Sequence, residues 1–286
     1  MRRFIISIVL VFFSCGWAAA ESLVWKAQKG NAVIYLGGTC HILRENDYPL
    51  PPEFDRAYKA AAIVVFETDI GKMLSPETQL LLQSKALYAD GSTVDKHLSA
   101  RAYAKLSAYC TANNIPLQSL SRFRPSLLMT ILTLLEVRKL GITERGVDQF
   151  FHELALKERK GVEGLETVEE QIDFVVSMAD GNEDDFVSYS LEEMKTIKQQ
   201  FEILAKAWRT GDAGKLDELM VAELKTQQPK LYKKLVTVRN RTWLPMIEGY
   251  LKSPQTRFVL VGAAHLVGQD GIIELLRKKG YKVEKL

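Results

Sequence analysis

The chain has 286 residues, 47% hydrophobic and 26% charged, and its 38 Lys and Arg against 35 Asp and Glu leave a net charge of +3. A balance this close gives no basic footprint for nucleic acid. The length fits one large domain, or a core carrying a substantial insertion.

Residues 1–20 read as a secretory signal, with Arg2 and Arg3 at the start, an apolar run from Phe4 to Phe13, and the small-residue cleavage site Ala18-Ala19-Ala20. The apolar run is shorter than the roughly 20 residues of a membrane helix. Cleavage after Ala20 leaves 266 of the 286 residues and a charge of +1, because the leader removes Arg2 and Arg3. The expected location is therefore outside the cytoplasm, periplasmic or secreted. Cys15 is a poor lipoprotein candidate, since Phe12-Phe13-Ser14 before it does not suit lipidation. No later apolar stretch is long enough to span a bilayer.

Residues 23–41 predict a β-hairpin turning at Lys29-Gly30-Asn31. Pro49, Pro51 and Pro52 then break the chain before a helix from Pro52 to Ala61. Ala62 to Phe66 is an unbroken apolar run suited to a strand covered on both faces, and it ends in Glu67-Thr68-Asp69. Helical spacing dominates about 73–145, with breaks at Gly91, Pro116, Pro125 and Gly141. A short strand follows at 160–166, and Thr167 with Glu170 makes a capping box for the next helix. Residues 168–250 read as nearly all helical, with one break at Thr210-Gly211-Asp212. The α/β pattern returns as a strand at 257–262, a helix at 270–279 and a last strand at 281–284. The expected fold is α/β: a mixed sheet built from both chain ends, covered by helices, with large helical insertions.

The pattern Gly-x-x-His occurs twice, each time after an apolar strand, as Gly38-Thr39-Cys40-His41 and Gly262-Ala263-Ala264-His265. Open α/β sheets place their ligands at the carboxyl ends of strands. A single histidine there is more often structural than a ligand; two in one frame favour a shared site. Glu67, with Asp69 nearby, and Glu166 end further strands. Two imidazoles and a carboxylate can hold a divalent metal that activates water, or can move protons without one. The residue pattern leaves both chemistries open. Glu166 and Asp148 also suit helix starts, where negative charge is favoured. His97 and His152 lie among charged residues on helical stretches and are expected in solvent. Cys40 adjoins His41, but adjacent strand residues face opposite ways. A Cys40–Cys110 disulfide is doubtful because Cys40 sits inside the first motif. Zincin, nucleophile-elbow and phosphate-loop motifs are missing.

Several segments run in a recognisable order: Tyr35-Leu36-Gly37-Gly38-Thr39-Cys40-His41, Leu50-Pro51, Ala57-Tyr58, Val65-Phe66-Glu67, Gly146-Val147-Asp148, Gly164-Leu165-Glu166-Thr167, Arg239-Asn240-Arg241-Thr242-Trp243 and Val261 to Gly268. In this set the chain resembles the TraB/GumN (PrgY) family, itself related to Tiki metalloproteases, erythromycin esterases and ChaN-like proteins. The resemblance covers about residues 22–286. It implies an α/β core with helical insertions and a site of His41, His265, Glu67 and Arg239, with Arg241 as a nearby competitor. Tiki-like relatives imply a metallopeptidase using Mn, Co or Zn; the esterases imply histidine and glutamate without metal. The expected function is hydrolysis of a peptide or amide bond in a peptide or small-molecule substrate. His41, Glu67 and His265 would hold metal or activate water, Glu166 would be an acid/base, Arg239 an electrophile and Asp148 an orienter behind the site. A non-catalytic protein that sequesters a peptide signal is the alternative from another class, and metal or haem handling is a third.

Overall fold

In the computed structural model, residues 22–143 and 145–286 are described, so the expected signal sequence lies outside the described residues. β1 (Val24–Lys29) and β2 (Ala32–Thr39) form the expected antiparallel hairpin. β3 (Ile63–Thr68) is buried along its whole length, as its β-branched run requires. It is joined by β4 (Gly161–Glu166), β5 (Arg257–Gly262) and β6 (Lys282–Lys285). The sheet order is β4-β3-β5-β2-β1-β6. The pairings β4–β3, β3–β5 and β5–β2 are parallel, whereas β1 is antiparallel to both β2 and β6. This is a mixed α/β sheet in which the first and last strands of the chain pair directly with each other, so it is built from both chain ends, as expected.

The proline pair starts α1 (Pro52–Ala60), which buries Phe54, Ala57 and Tyr58 at helical spacing. The first insertion supplies α2 (Pro76–Ala86), α3 (Ala100–Ala112) and α4 (Pro125–Arg138). α5 (Val147–Lys157) buries Val147, Phe151 and Ala155 in the sheet core. α6 (Val168–Ser177) begins with the expected Thr167–Glu170 capping box. It is followed by the 27-residue α7 (Glu183–Arg209), then α8 (Arg239–Tyr250) and α9 (Ile272–Lys278).

The two insertions share a core of their own. Leu106 and Cys110 of α3, Leu128 and Leu132 of α4, and Val187 and Leu191 of α7 form one apolar cluster. The stretch 168–250 breaks more often than its composition suggests, at 178–182 and Gln228 as well as near Gly211. It also widens into π-helical turns at Asp217–Ala222 and Lys233–Val238. Trp208 near the end of α7 donates its indole N–H to the Gly38 carbonyl at 2.8 Å, which docks the helical layer on β2. Among the described residues no helix is long and apolar enough to cross a membrane.

Two histidines outside the motifs behave differently from one another. His97 is exposed and stacks on Tyr88, with ring centroids 3.7 Å apart. His152 is a correction: instead of facing solvent it is buried, edge-on to Phe66. The helix face that carries Phe151 and Ala155 into the core carries it inward as well.

Candidate active site

Parallel pairing brings four strand ends to one edge of the sheet, since Thr39 is in register with Gly262 and Thr68 with Glu166. Glu67, the next-to-last residue of β3, points its carboxylate into this edge. Its Oε1 accepts the Gly262 amide at 2.7 Å, and its Oε2 accepts Arg239 Nη2 at 2.7 Å. The same Oε1 lies 3.8 Å from His41 Nε2 and 3.9 Å from His265 Nε2. Both motif histidines therefore converge on one oxygen. Burial alone would raise the Glu67 pKa, but the electropositive groups around it (His265, Arg239, His41 and the Gly262 amide) bring it down to about 2.

His41 is held from behind. Backbone bonds from Val147 N–H to the Cys40 carbonyl and between Leu43 and Thr143 lash the loop after β2 to the start of α5. This places Asp148 Oδ2 2.8 Å from His41 Nδ1 while the ring stays 58% exposed. The Asp148 charge is the main reason that the His41 pKa rises to about 9; desolvation opposes it, and the hydrogen bond and Glu67 add to it. Gly146 is needed for the contact, because a Cβ there would sit 2.2 Å from the His41 carbonyl carbon.

His265 is the opposite case, buried and 4% exposed. Its Nε2 lies 3.1 Å from Arg239 Nη1, which can only donate, so Nε2 carries the lone pair. Nδ1 then carries the proton and donates to Asn240 Oδ1 at 2.7 Å. Asn240 cannot flip, since its Nδ2 donates to the carbonyls of His265 and Asp270 at 3.0 and 2.8 Å. Burial chiefly pushes the His265 pKa down to about 4, with Arg239 and His41 assisting and Glu67 opposing. Two histidines in the same sequence frame are thus driven apart, one cationic and one neutral.

Arg239 is the keystone of the site. Its Nε donates to Glu166 Oε1 at 2.8 Å, and its Nη2 reaches Glu67, Glu166 Oε2 at 3.0 Å and Gln171 at 2.9 Å. The guanidinium lies between the rings of Phe174 and Trp243, at 4.7 and 4.5 Å. Gly262 lets these groups close up, for a Cβ there would meet His41 Nε2 at 3.0 Å and Glu67 Oε1 at 3.3 Å. The assembly faces a cavity of about 490 Å³, whose walls include Phe174, Phe201, Trp208 and Leu235.

Over residues 23–285 the sequence matches the TraB/PrgY/gumN family. The chain belongs to that family. No curated protein and no solved structure matches it.

In this TraB/PrgY/gumN protein the structure brings His41, Glu67, Arg239, His265, Asp148 and Glu166 into one connected network. Both oxygens of Glu166 are taken by Arg239, and Glu166 does not line the cavity. Asp69 stands apart and caps a short turn through the Lys72 amide. Arg241 is exposed, so Arg239 is the arginine of the site. Cys40 and Cys110 are both free thiols. Cys40 donates to the Ile42 carbonyl, and burial pushes its pKa up to about 11, which makes it a poor nucleophile. Asn240, Gln171 and Thr39 were not singled out from sequence. Asn240 lies inside the quoted Arg-Asn-Arg segment, but an asparagine that fixes a tautomer leaves no spacing signature. The Thr39 hydroxyl lines the site, buried and without a partner among the described residues.

A divalent metal fits this arrangement poorly. Among the described residues no group of three or more His, Cys, Asp and Glu side chains is set to hold one. The reason is visible in the bonds: the Nε2 lone pair of His265 faces a guanidinium, and both oxygens of Glu67 already accept N–H groups.

Proposed function

We propose that this TraB/PrgY/gumN protein is an exported hydrolase that adds water to the carbonyl of an ester or amide. The observation that carries this is the convergence of the two oppositely tuned motif histidines on Glu67 Oε1, all three lining one cavity. In its neutral form His41, aimed by Asp148, takes a proton from water through Nε2. The resulting hydroxide adds to the carbonyl carbon, and the carbonyl oxygen becomes an oxyanion. One N–H of Arg239 Nη1 is engaged by His265, and the other has no protein partner among the described residues. That donor, and the Thr39 hydroxyl, are available to the oxyanion. On collapse the C–O or C–N bond breaks, and His41 returns its proton to the leaving alcohol or amine. Glu67 stabilises the imidazolium between the two transfers. His265, Asn240 and Glu166 hold Arg239 and Glu67 in place.

The sign of the pH dependence follows from His41. Its pKa of about 9 keeps the base form scarce at neutral pH. The value of kcat/KM on a neutral ester should rise about tenfold per pH unit and level off near 9. In Asp148→Asn the inflection should fall towards about 6.5, the ordinary histidine value. A flat profile in both proteins would remove His41 from its role. EDTA should leave the rate unchanged; loss on chelation, with recovery in Mn²⁺ or Co²⁺, would replace this mechanism with the metal-bound one. Tight ligand binding with no turnover of any ester or amide would support a sequestering protein.

A further inference from the structure

From the cavity walls we infer that the chamber takes an apolar acyl chain, the acyl portion of a neutral ester or amide. This rests on the hydrolytic reading only for which bond is cut. Above the floor the wall is built from Phe174, Phe201, Leu204, Trp208, Met220 and Leu235. Met220 and Leu235 come from the two π-helical turns, where an i→i+5 pattern re-aims side chains relative to an α-helix. Both wide turns border the same chamber, as does the last stretch of α7.

The polar groups of the chamber are confined to the motif floor around His41, Glu67, Gln171, Arg239 and His265, with Thr39 among them. An extended peptide entering the chamber would carry an amide N–H and a carbonyl at every residue. The wall side chains above the floor offer them no hydrogen-bond partners, and unpaired buried amides are costly. A hydrocarbon chain brings no such groups. A free carboxylate is also disfavoured: the cations of the lining, Arg239 and protonated His41, are already paired with Glu67, Glu166 and Asp148. The neutral ester or amide fits better, with its carbonyl at the floor. A volume of about 490 Å³ lies within the range of small-molecule sites and holds a chain of several carbons.

Two series of equal chain lengths test this: p-nitrophenyl esters from acetate to decanoate for turnover, and non-hydrolysable alkyl methyl ketones for calorimetric binding. Ketone affinity and ester kcat/KM should both rise about fourfold per methylene until the chamber is filled. Leu204→Trp, which narrows the chamber from a half-buried position, should lower the decanoate-to-acetate ratio of kcat/KM at least tenfold, with circular dichroism reporting that it folds. Ketone affinity that does not change with chain length, or a peptide of matched size binding as tightly as the long ketone, overturns the inference even if esters are cleaved. Affinity that climbs with chain length while no ester turns over upholds the chamber's ligand and sinks the hydrolytic reading alone.

Discussion

His41→Ala should lower kcat/KM for ester hydrolysis by about 10²- to 10⁴-fold, the usual share of a general base, with little change in melting temperature. The ring is 58% exposed, and its one side-chain hydrogen bond among the described residues is to Asp148. Losing it gives up an ion pair whose imidazole is largely exposed though its carboxylate is not, at a cost of about 1 kcal/mol. On the alkaline plateau, where His41 is neutral in both proteins, Asp148→Asn should give an intermediate activity loss, because the amide can still accept from Nδ1 but no longer supplies the charge that strengthens His41 as a base. Activity in His41→Ala equal to that of the unsubstituted protein would show that water is activated elsewhere.

Arg239→Met should have the opposite profile, a large loss of stability. It would leave the Glu67 and Glu166 carboxylates, about one-tenth exposed, without the cation that both now contact. Removing one partner from a buried ionic group costs about 3–5 kcal/mol. For a domain of this size that corresponds to a fall of roughly 6–20 °C in Tm. His265 Nε2 would lose its donor, and the Phe174 and Trp243 rings would lose the cation between them. Combining Arg239→Met with Glu166→Gln should cost less than the sum of the two single changes, because the second removes a charge that the first strands. An unaltered Tm in Arg239→Met would mean that the network holds nothing together.

The core of this fold was legible in the chain because its signals are local. Runs such as Ile63-Val64-Val65-Phe66 can be covered on both faces, and the segments that carry them became β3 and β5 where expected. The strand-end groups followed, since parallel strands must finish at one edge. Non-local facts stayed hidden. Nothing in residues 75–138 announces that α3 and α4 would pack on α7 to form a second core. The π-helical turns depend on what the helix must reach and not on residue period. His152 misled because the charges that follow it, Glu153 and Lys157, are exposed while its own ring turns in to Phe66. The division of labour between the motif histidines was equally invisible: Gly-x-x-His is the same frame twice, and Asp148 and Asn240 arrive from elsewhere to make one ring cationic and the other neutral.

That division is the centre of the account, and it can be measured without knowing the substrate. With only four histidines in the chain, long-range ¹⁵N–¹³C imidazole spectra can follow each ring across pH. His41 should be doubly protonated at pH 7 and titrate near 9, while His265 should remain the neutral Nδ1–H tautomer down to about 4. If both rings titrate together near about 6.5, or if His265 carries its proton on Nε2, the site described here is wrong.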